Sequence, residues 1–579
     1  MMSRTTMTRS AMLAGAGFVS MLAAPAIAGL PEVLDHVPAG ATAVVVVDNI
    51  NEFDQHFSQF IGAIEMPMMT TPKLMLNQLG IGQNINMDGS AALVVLSVDI
   101  EDEDGEFVFL APTNNFNNLV GAFNAKDAGG GIMSFDVEND TVFAKQVGEW
   151  AAMSDDKNTL AGFSGKAGNL GVFKENFGAA GLEMADTSDL FVAVNPAHLS
   201  PIVDEMQKEF EQNAAMMPGG DQIEAQMEMA KELMESFVRD GSSLGFGVSF
   251  GAMGVSGNSA IAFKPGTEGH KMFRKGGDSG SLMSKLPNGP FLFAFAMDNS
   301  APMAKSTMAW LEQSGMMEMN EAMGMGMFDM SDMDEHMSGA AGAAYPSSAG
   351  IMGGLLANMI TYSATDNPGK LKSLLKDKYA EMNMDNDQLG MSITSSYTPN
   401  ETQINGKSAD GWAINMNFGG MNGGMGFNPM QMIFGSPNGP NGYIVEANGG
   451  LYQSFSRAST MLAPAINGSS SITDDRAMTA VGKNLPEGRY AEFYLGVRPI
   501  LEQVVPFMGM MGVPPIDLPQ QMPPVGFGLA ARDGGAVGGM FVPAQTIKSA
   551  VEIAMTVQGM GMGGGGGGDW GEEDDGPGF

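Results

Sequence analysis

One pattern recurs four times along the chain: a turn with Pro or Gly, a short apolar strand, a polar break and an amphipathic helix. The copies are PAGATAVVVVDNINEFDQHFSQFIGAI (residues 38–64), DTSDLFVAVNPAHLSPIVDEMQKEF (186–210), LPNGPFLFAFAMDNSAPMAKSTMAWLE (286–312) and LPEGRYAEFYLGVRPILEQVVPFM (485–508). In the first, Val44 to Val47 form a continuous β-branched run, which favours a strand. Asp48 or Asn49 can then cap a helix whose apolar face is Phe53, Phe57, Phe60, Ile61 and Ile64.

A second pattern, two strands around a Gly- or acid-rich turn and then a helix, falls at 90–123, 243–273, 353–375 and 526–555. A third, hairpin-like, falls at 141–163 and 442–460. The order of the three patterns over residues 38–276 recurs over 286–558. This predicts an α+β fold: a duplicated domain of antiparallel sheet with packed amphipathic helices. The expected division is 29–276 for the first copy, 277–285 for a linker and 286–558 for the second copy. Met- and Gly-rich insertions are expected at 314–343 and 417–442, and a disordered Gly-rich, acidic tail at 559–579.

The first 28 residues read as an address. Arg4 and Arg9 precede an apolar run, and Ala26-Ile27-Ala28 supplies a small-residue cleavage site. The rest of the chain holds no uninterrupted apolar stretch long enough for a spanning helix. The formal charge of -36 excludes a general nucleic-acid binder, because phosphate backbones demand a basic footprint. It also disfavours adsorption to anionic lipid. The absence of cysteine removes disulfides, thiol nucleophiles and thiolate zinc sites.

Four short motifs resemble functional ones, and each reads better as structure. Gly247-Val248-Ser249-Phe250-Gly251 fits G-x-S-x-G, but another strand follows where a nucleophile elbow needs a helix. Gly277-Asp278-Ser279-Gly280 resembles a serine-protease loop without a histidine partner and reads as a turn. Ser373-Leu374-Leu375-Lys376 fits S-x-x-K, but Lys370, Lys372, Lys376 and Lys378 have the spacing of an exposed basic face. The acidic run 99–106 fails as a calcium loop, since Ile100 and Ala111 stand at its two ends. With five scattered histidines, no catalytic residue is assigned and no enzyme is expected.

Methionine is the unusual signal, with 54 in the chain and nine between residues 316 and 337. Thioethers are soft ligands that select Cu(I) or Ag(I). Met323, Met325 and Met327, with His336 as an optional nitrogen ligand, are the candidate metal set, and no other cofactor is expected. Methionine also makes adaptable apolar surfaces, so an unknown envelope protein or a small apolar ligand is the expected partner.

The head segments PAGATAVVVVDN and LPNGPFLFAFAMDN resemble a domain-of-unknown-function family of exported bacterial proteins, in which a signal peptide precedes repeated strand–helix units. The resemblance implies export and an α+β fold, and no catalytic residue. The expected protein is thus a periplasmic or extracellular, non-catalytic scaffold or binding protein. A soft-metal buffer and a carrier of an apolar ligand are the alternatives. N-terminal sequencing of the exported form should begin at Gly29; a mature chain starting at Met1 would refute the address.

Overall fold

The computed structural model of the chain describes residues 29–66, 70–99, 104–137, 140–201, 235, 237–303, 336–382, 384–386, 391–418, 429–510 and 517–563. The described residues of 29–263 contribute ten strands. They are β1 (Ala43–Val47), β2 (Ala91–Asp99), β3 (Asp104–Pro112), β4 (Lys126–Gly129), β5 (Ile132–Val137), β6 (Asp140–Val147), β7 (Trp150–Ser154), β8 (Leu190–Val194), β9 (Gly241–Gly251) and β10 (Gly254–Phe263). Every pairing is antiparallel, and the spatial order is β4-β5-β6-β7-β3-β2-β1-β8-β9-β10.

The second half adds β11 (Phe293–Met297), β12 (Gly339–Ala344), β13 (Ile360–Ala364), β14 (Met384–Asn386), β15 (Met391–Ile404), β16 (Lys407–Phe418), β17 (Asn441–Ala447), β18 (Gly450–Ser454), β19 (Arg489–Leu495), β20 (Val525–Arg532) and β21 (Gly535–Pro543). Their order is β14-β15-β16-β17-β18-β13-β12-β11-β19-β20-β21. Turn chemistry sets several of these registers. Asn405-Gly406, Asn448-Gly449 and Asp533-Gly534 all have positive φ, as a two-residue type I′ hairpin demands.

The last strands of the two halves pair with each other, closing one continuous antiparallel sheet. Gly254 lies opposite Pro543, Asn258 opposite Gly539 and Ala262 opposite Gly535. Small residues permit this approach. A Cβ on Gly539 would stand 2.4 Å from Pro486 Cδ, and one on Gly538 2.6 Å from Ser259 Oγ.

Helices cover one face of the sheet. Val44, Val46, Val94, Val108, Leu110 and Phe191 are buried with Phe177 and Met184. Those last two lie on α3 (Leu170–Asp186), which follows α1 (Ile50–Ile64) and α2 (Phe116–Ala122). In the second half, Ala294, Ala296, Ala341, Tyr362, Tyr452 and Tyr494 pack against α4 (Ser279–Met283), α6 (Leu462–Asn467) and α7 (Arg476–Gly482); α5 (Pro368–Glu381) lies on the opposite face. The C-terminal end of α3 reaches the seam. Asn258 donates to Thr187 Oγ1 at 3.2 Å, and Arg532 grips the Glu183 carboxylate with two nitrogens, one at 2.8 Å.

Several boundaries differ from those expected. The stretch 277–285 is not a bare linker: it carries α4, with Ser279, Leu282 and Met283 buried. Residues 339–343 belong to the core strand β12 rather than to an insertion. Its Gly-Ala composition resembles a loop, yet the missing side chains serve packing, since a Cβ on Gly339 would stand 2.5 Å from Leu282 Cδ1. Within 417–442, Phe418 closes β16, Pro429–Phe434 is helical and Asn441 opens β17. The last helix, α8 (Ala544–Gly563), extends into the stretch read as tail, and residues 564–579 lie outside the described residues. Among the described residues no helix is long and apolar enough to cross a membrane.

The seam makes a direct prediction. Gly539→Val places methyl groups against Pro486 and should destabilise the protein by about 1–3 kcal/mol. Met540→Val, half-buried on the other face, should cost less than about 1 kcal/mol. Urea unfolding midpoints measure both.

Candidate binding face

An antiparallel sheet with one solvated face ordinarily alternates apolar and polar side chains. The central strands here do not. β1 reads AVVVV, β8 LFVAV and β11 FAFAM, and all three have alternate residues only half-buried. Their second face is therefore apolar without being closed.

Cross-strand pairing arranges these side chains in rows. Phe109 lies opposite Leu93, Leu93 opposite Val45, Val45 opposite Val192, and Val192 opposite Phe246. In the second half Phe527 lies opposite Phe493, Phe493 opposite Phe295, and Phe295 opposite Gly342. Ser259, Gly538 and Met540 link the rows across the seam. Phe109, Phe246, Phe493, Phe527 and Leu529 are 36–45% exposed. The aromatic members support one another: Phe293 stacks on Phe493 with centroids 6.4 Å apart, and Phe493 lies 6.0 Å from Phe527. None of these positions carries a charge. From β3 to β11 the rows cross ten strands, on the order of 40 Å at ~4.8 Å per strand spacing.

Helices close the face around this strip. At one end α2 packs Phe116, Leu119 and Val120 over Ala91, Ala111 and Ala151. At the other, α5 sets Leu371 against Trp412, Ile444 and Leu451. Between them α1 lays Phe60, Ile61 and Ile64 on Val248, Phe250 and Val255. The α1 face is the one its sequence spacing predicts, and Asn49 is the cap, accepting from the backbone N–H groups of Asn51 and Glu52 at 3.0 Å each.

Two titratable clusters flank the strip. Under α5, Asp410 is buried; it accepts from Tyr397 Oη at 2.5 Å and from the Asn400 N–H at 2.9 Å, with Lys372 Nζ at 2.9 Å. Burial works to raise this carboxyl, but the Asn400, Tyr397 and Lys372 donors together hold it below the ordinary carboxylate range. Tyr397 is pushed well above the usual phenol range by burial and by the neighbouring Asp410. Lys372 is thus a core-facing partner rather than part of an exposed basic face. The second cluster, beside the N-terminal half of α1, joins His56 Nδ1 to Asp189 Oδ1 at 2.7 Å.

The motif residues take structural places. Ser249 is buried in β9 and donates to Thr187 O at 2.9 Å. Ser279 is buried at the start of α4, and Ser373 donates to Gly369 O at 3.1 Å within α5. Of the candidate metal ligands, Met323, Met325 and Met327 lie outside the described residues. His336 is half-buried ahead of β12, beside Met337, which is buried in the Trp412 cluster. Among the described residues no group of three or more His, Asp or Glu is gathered to hold a metal ion. One open hollow of about 490 Å³ is lined by Glu183, Glu487, Gly488 and Arg532, and Arg532 fills its role there as the partner of Glu183.

Sequence reasoning missed this half-open apolar face, although its signal was present in strands that are apolar at odd and even positions alike. No protein-family model, curated protein or solved structure matches the chain.

The Asp410 cluster generates a pH-dependent prediction. Lys372→Ala removes a charged hydrogen-bond partner and should destabilise the protein by about 2–3 kcal/mol at pH 7. Asp410 is held low, so its stabilisation is present above the unfolded pKa and lost as pH falls through the folded one. The difference between Lys372→Ala and the parent should therefore shrink below pH 4, as followed by denaturant midpoints.

Proposed function

We propose that the chain is an exported, non-catalytic binding protein, built by tandem duplication of one α+β unit, that holds an unbranched apolar chain such as a lipid acyl group along its half-open sheet face. The single observation that carries the reading is the pair of uncharged rows, with five large side chains left more than a third exposed on a sheet whose other face is closed.

Duplication is supported by strand order and register. β1, β8, β9 and β10 correspond to β11, β19, β20 and β21. Phe246 and Phe527 each stand five residues before the end of their strand, and both are exposed. The β10–β21 register is symmetric about Asn258 and Gly539, as a contact between two equivalent edge strands should be. Export is supported by the N-terminal address. The titratable clusters support a non-catalytic reading, since Lys372, Tyr397 and Asp410 are engaged with one another in holding α5 to the sheet.

The chemistry of the rows selects the ligand. They offer no hydrogen-bonding partner between Phe109 and Phe246 or between Phe295 and Phe527, so the contacting part of the ligand has no polar group to satisfy. The charge of -36 opposes docking on an anionic bilayer, which favours a single extracted molecule over a membrane surface.

A fluorescent polyene fatty acid titrated into the mature protein tests this, with native mass spectrometry of the exported form for co-purified lipid. Saturable binding is expected. Phe493→Ser with Phe527→Ser should weaken it by about tenfold, the loss of roughly 1.4 kcal/mol. No binding, or binding indifferent to the double variant, would overturn the ligand reading and return the face to a protein partner.

A further inference from the structure

The two halves place the same strand junction in different electrostatic settings. β1 and β8 are neighbours, with Val47 opposite Leu190. One step beyond, the Asp48 N–H donates to Asp189 O at 3.2 Å, so two carboxylates follow each other across the strand ends. In the second half Met297 lies opposite Ala491, and the Asp298 N–H donates to Tyr490 O at 2.7 Å. Tyrosine thus stands where the first half has Asp189, and the like-charge pair is absent there.

The first junction also anchors a helix. Asp189 takes His56 on α1 with one oxygen and the Phe250 N–H, at 2.7 Å, with the other. The Phe250 ring in turn is surrounded by Phe53, Phe57 and Phe60 of α1, with centroids 5.9, 5.2 and 5.7 Å away. A single residue of β9 is therefore held to α1 through its ring and to Asp189 through its backbone.

The charged groups around Asp48 come from every element at the junction. α1 supplies Glu52, one turn from the Asn49 cap, and His56 one turn further; Asp54 accepts from the Lys73 N–H of the helix Pro72–Gln78 at 2.8 Å. The loop before β2 supplies Asp88, 3.4 Å from the Asn51 amide nitrogen. α3 ends in Asp186, and β8 is preceded by Asp189. β9 contributes the Phe250 N–H; α8 joins the apolar cluster of α1 through Ala544 and Ile547, and its Lys548 meets Glu65 at 2.6 Å.

We propose that this junction is a proton-controlled latch on α1: with Asp48 neutral the helix is held on β9, and with Asp48 ionised its repulsion from Glu52, Asp186 and Asp189 loosens the helix and widens the adjoining end of the apolar face. The widening has a functional consequence only if that face binds a ligand; the latch itself does not depend on it.

The protonation chemistry agrees with the geometry. Burial, then Glu52, Asp186 and Asp189, push the Asp48 carboxyl up to about 6. Burial also raises Asp189, against the pull of His56 and the Phe250 N–H. Because the folded junction favours the neutral carboxyl, docking is strongest in acid and is lost as pH rises through about 6. Asp298 behaves oppositely. Burial works to raise it, but donors from Ser300 and the Asp278 N–H hold it below the ordinary range.

Hydrogen exchange of the full mature protein at pH 5 and pH 7.5, converted to protection factors so that intrinsic rates cancel, tests the latch without any ligand. Peptides covering residues 50–64 should be about tenfold better protected at pH 5, because only the last unit or so of the interval from 3.8 to about 6 lies between the two pH values. Asp48→Asn should give the high protection at both values, while Asp298→Asn should leave the parent's difference intact. Should Asp48→Asn fail to fold, Glu52→Gln serves, and it should shrink the difference. Equal protection at the two pH values, or a difference that survives Asp48→Asn or is untouched by Glu52→Gln, would overturn the latch.

Discussion

The pairing of β10 with β21 turns two sets of strands into one sheet. It satisfies the backbone groups of what would be two exposed edges, each ready to pair with another chain. Edge strands this long and this poor in charge are a hazard when left open, and each half covers the other's. The cost of the close approach appears in composition, with glycine at 535, 538 and 539 on one side of the seam and at 254 and 257 on the other. The α3 helix and Arg532 then lock the junction from the helical face through Thr187 and Glu183.

Joining the sheets also decides what remains outside. A continuous sheet has two faces, and the helices described close only one of them. On the other, α2, α1 and α5 occupy separate positions and leave an uncharged strip between them. Val45, Val192 and Phe246 form one run of this strip and Phe295, Phe493 and Phe527 another, the second with the larger aromatic rings. At the strand ends, Asp48 meets Asp189 in the first half, whereas Asp298 meets Tyr490 in the second.

Much of the local structure was legible in the residues. The α1 face of Phe53, Phe57, Phe60, Ile61 and Ile64 follows from helical spacing, and the hairpin at Asn448-Gly449 follows from the only common residues that tolerate its turn. The strand β12 was not legible. GAAGAA has the composition of a loop, and its place beneath Leu282 depends on a helix more than fifty residues away. Lys372 likewise reads as a surface lysine from spacing alone, because Asp410 lies on a different element.

The sequence by itself determined local periodicities: the β-branched run of β1, the amphipathic face of α1 and the glycine-bearing turns that reverse the chain. These are local properties, since rotamer freedom, turn conformation and side-chain spacing are set within a few residues. Only the tertiary structure decided that the two halves share one sheet, that its second face stays half open, and that Asp48 meets Asp189 across the ends of two strands beside the start of α1. Those outcomes rest on pairings between residues hundreds of positions apart, as in Asn258 with Gly539, and no local pattern records which edge a strand will find.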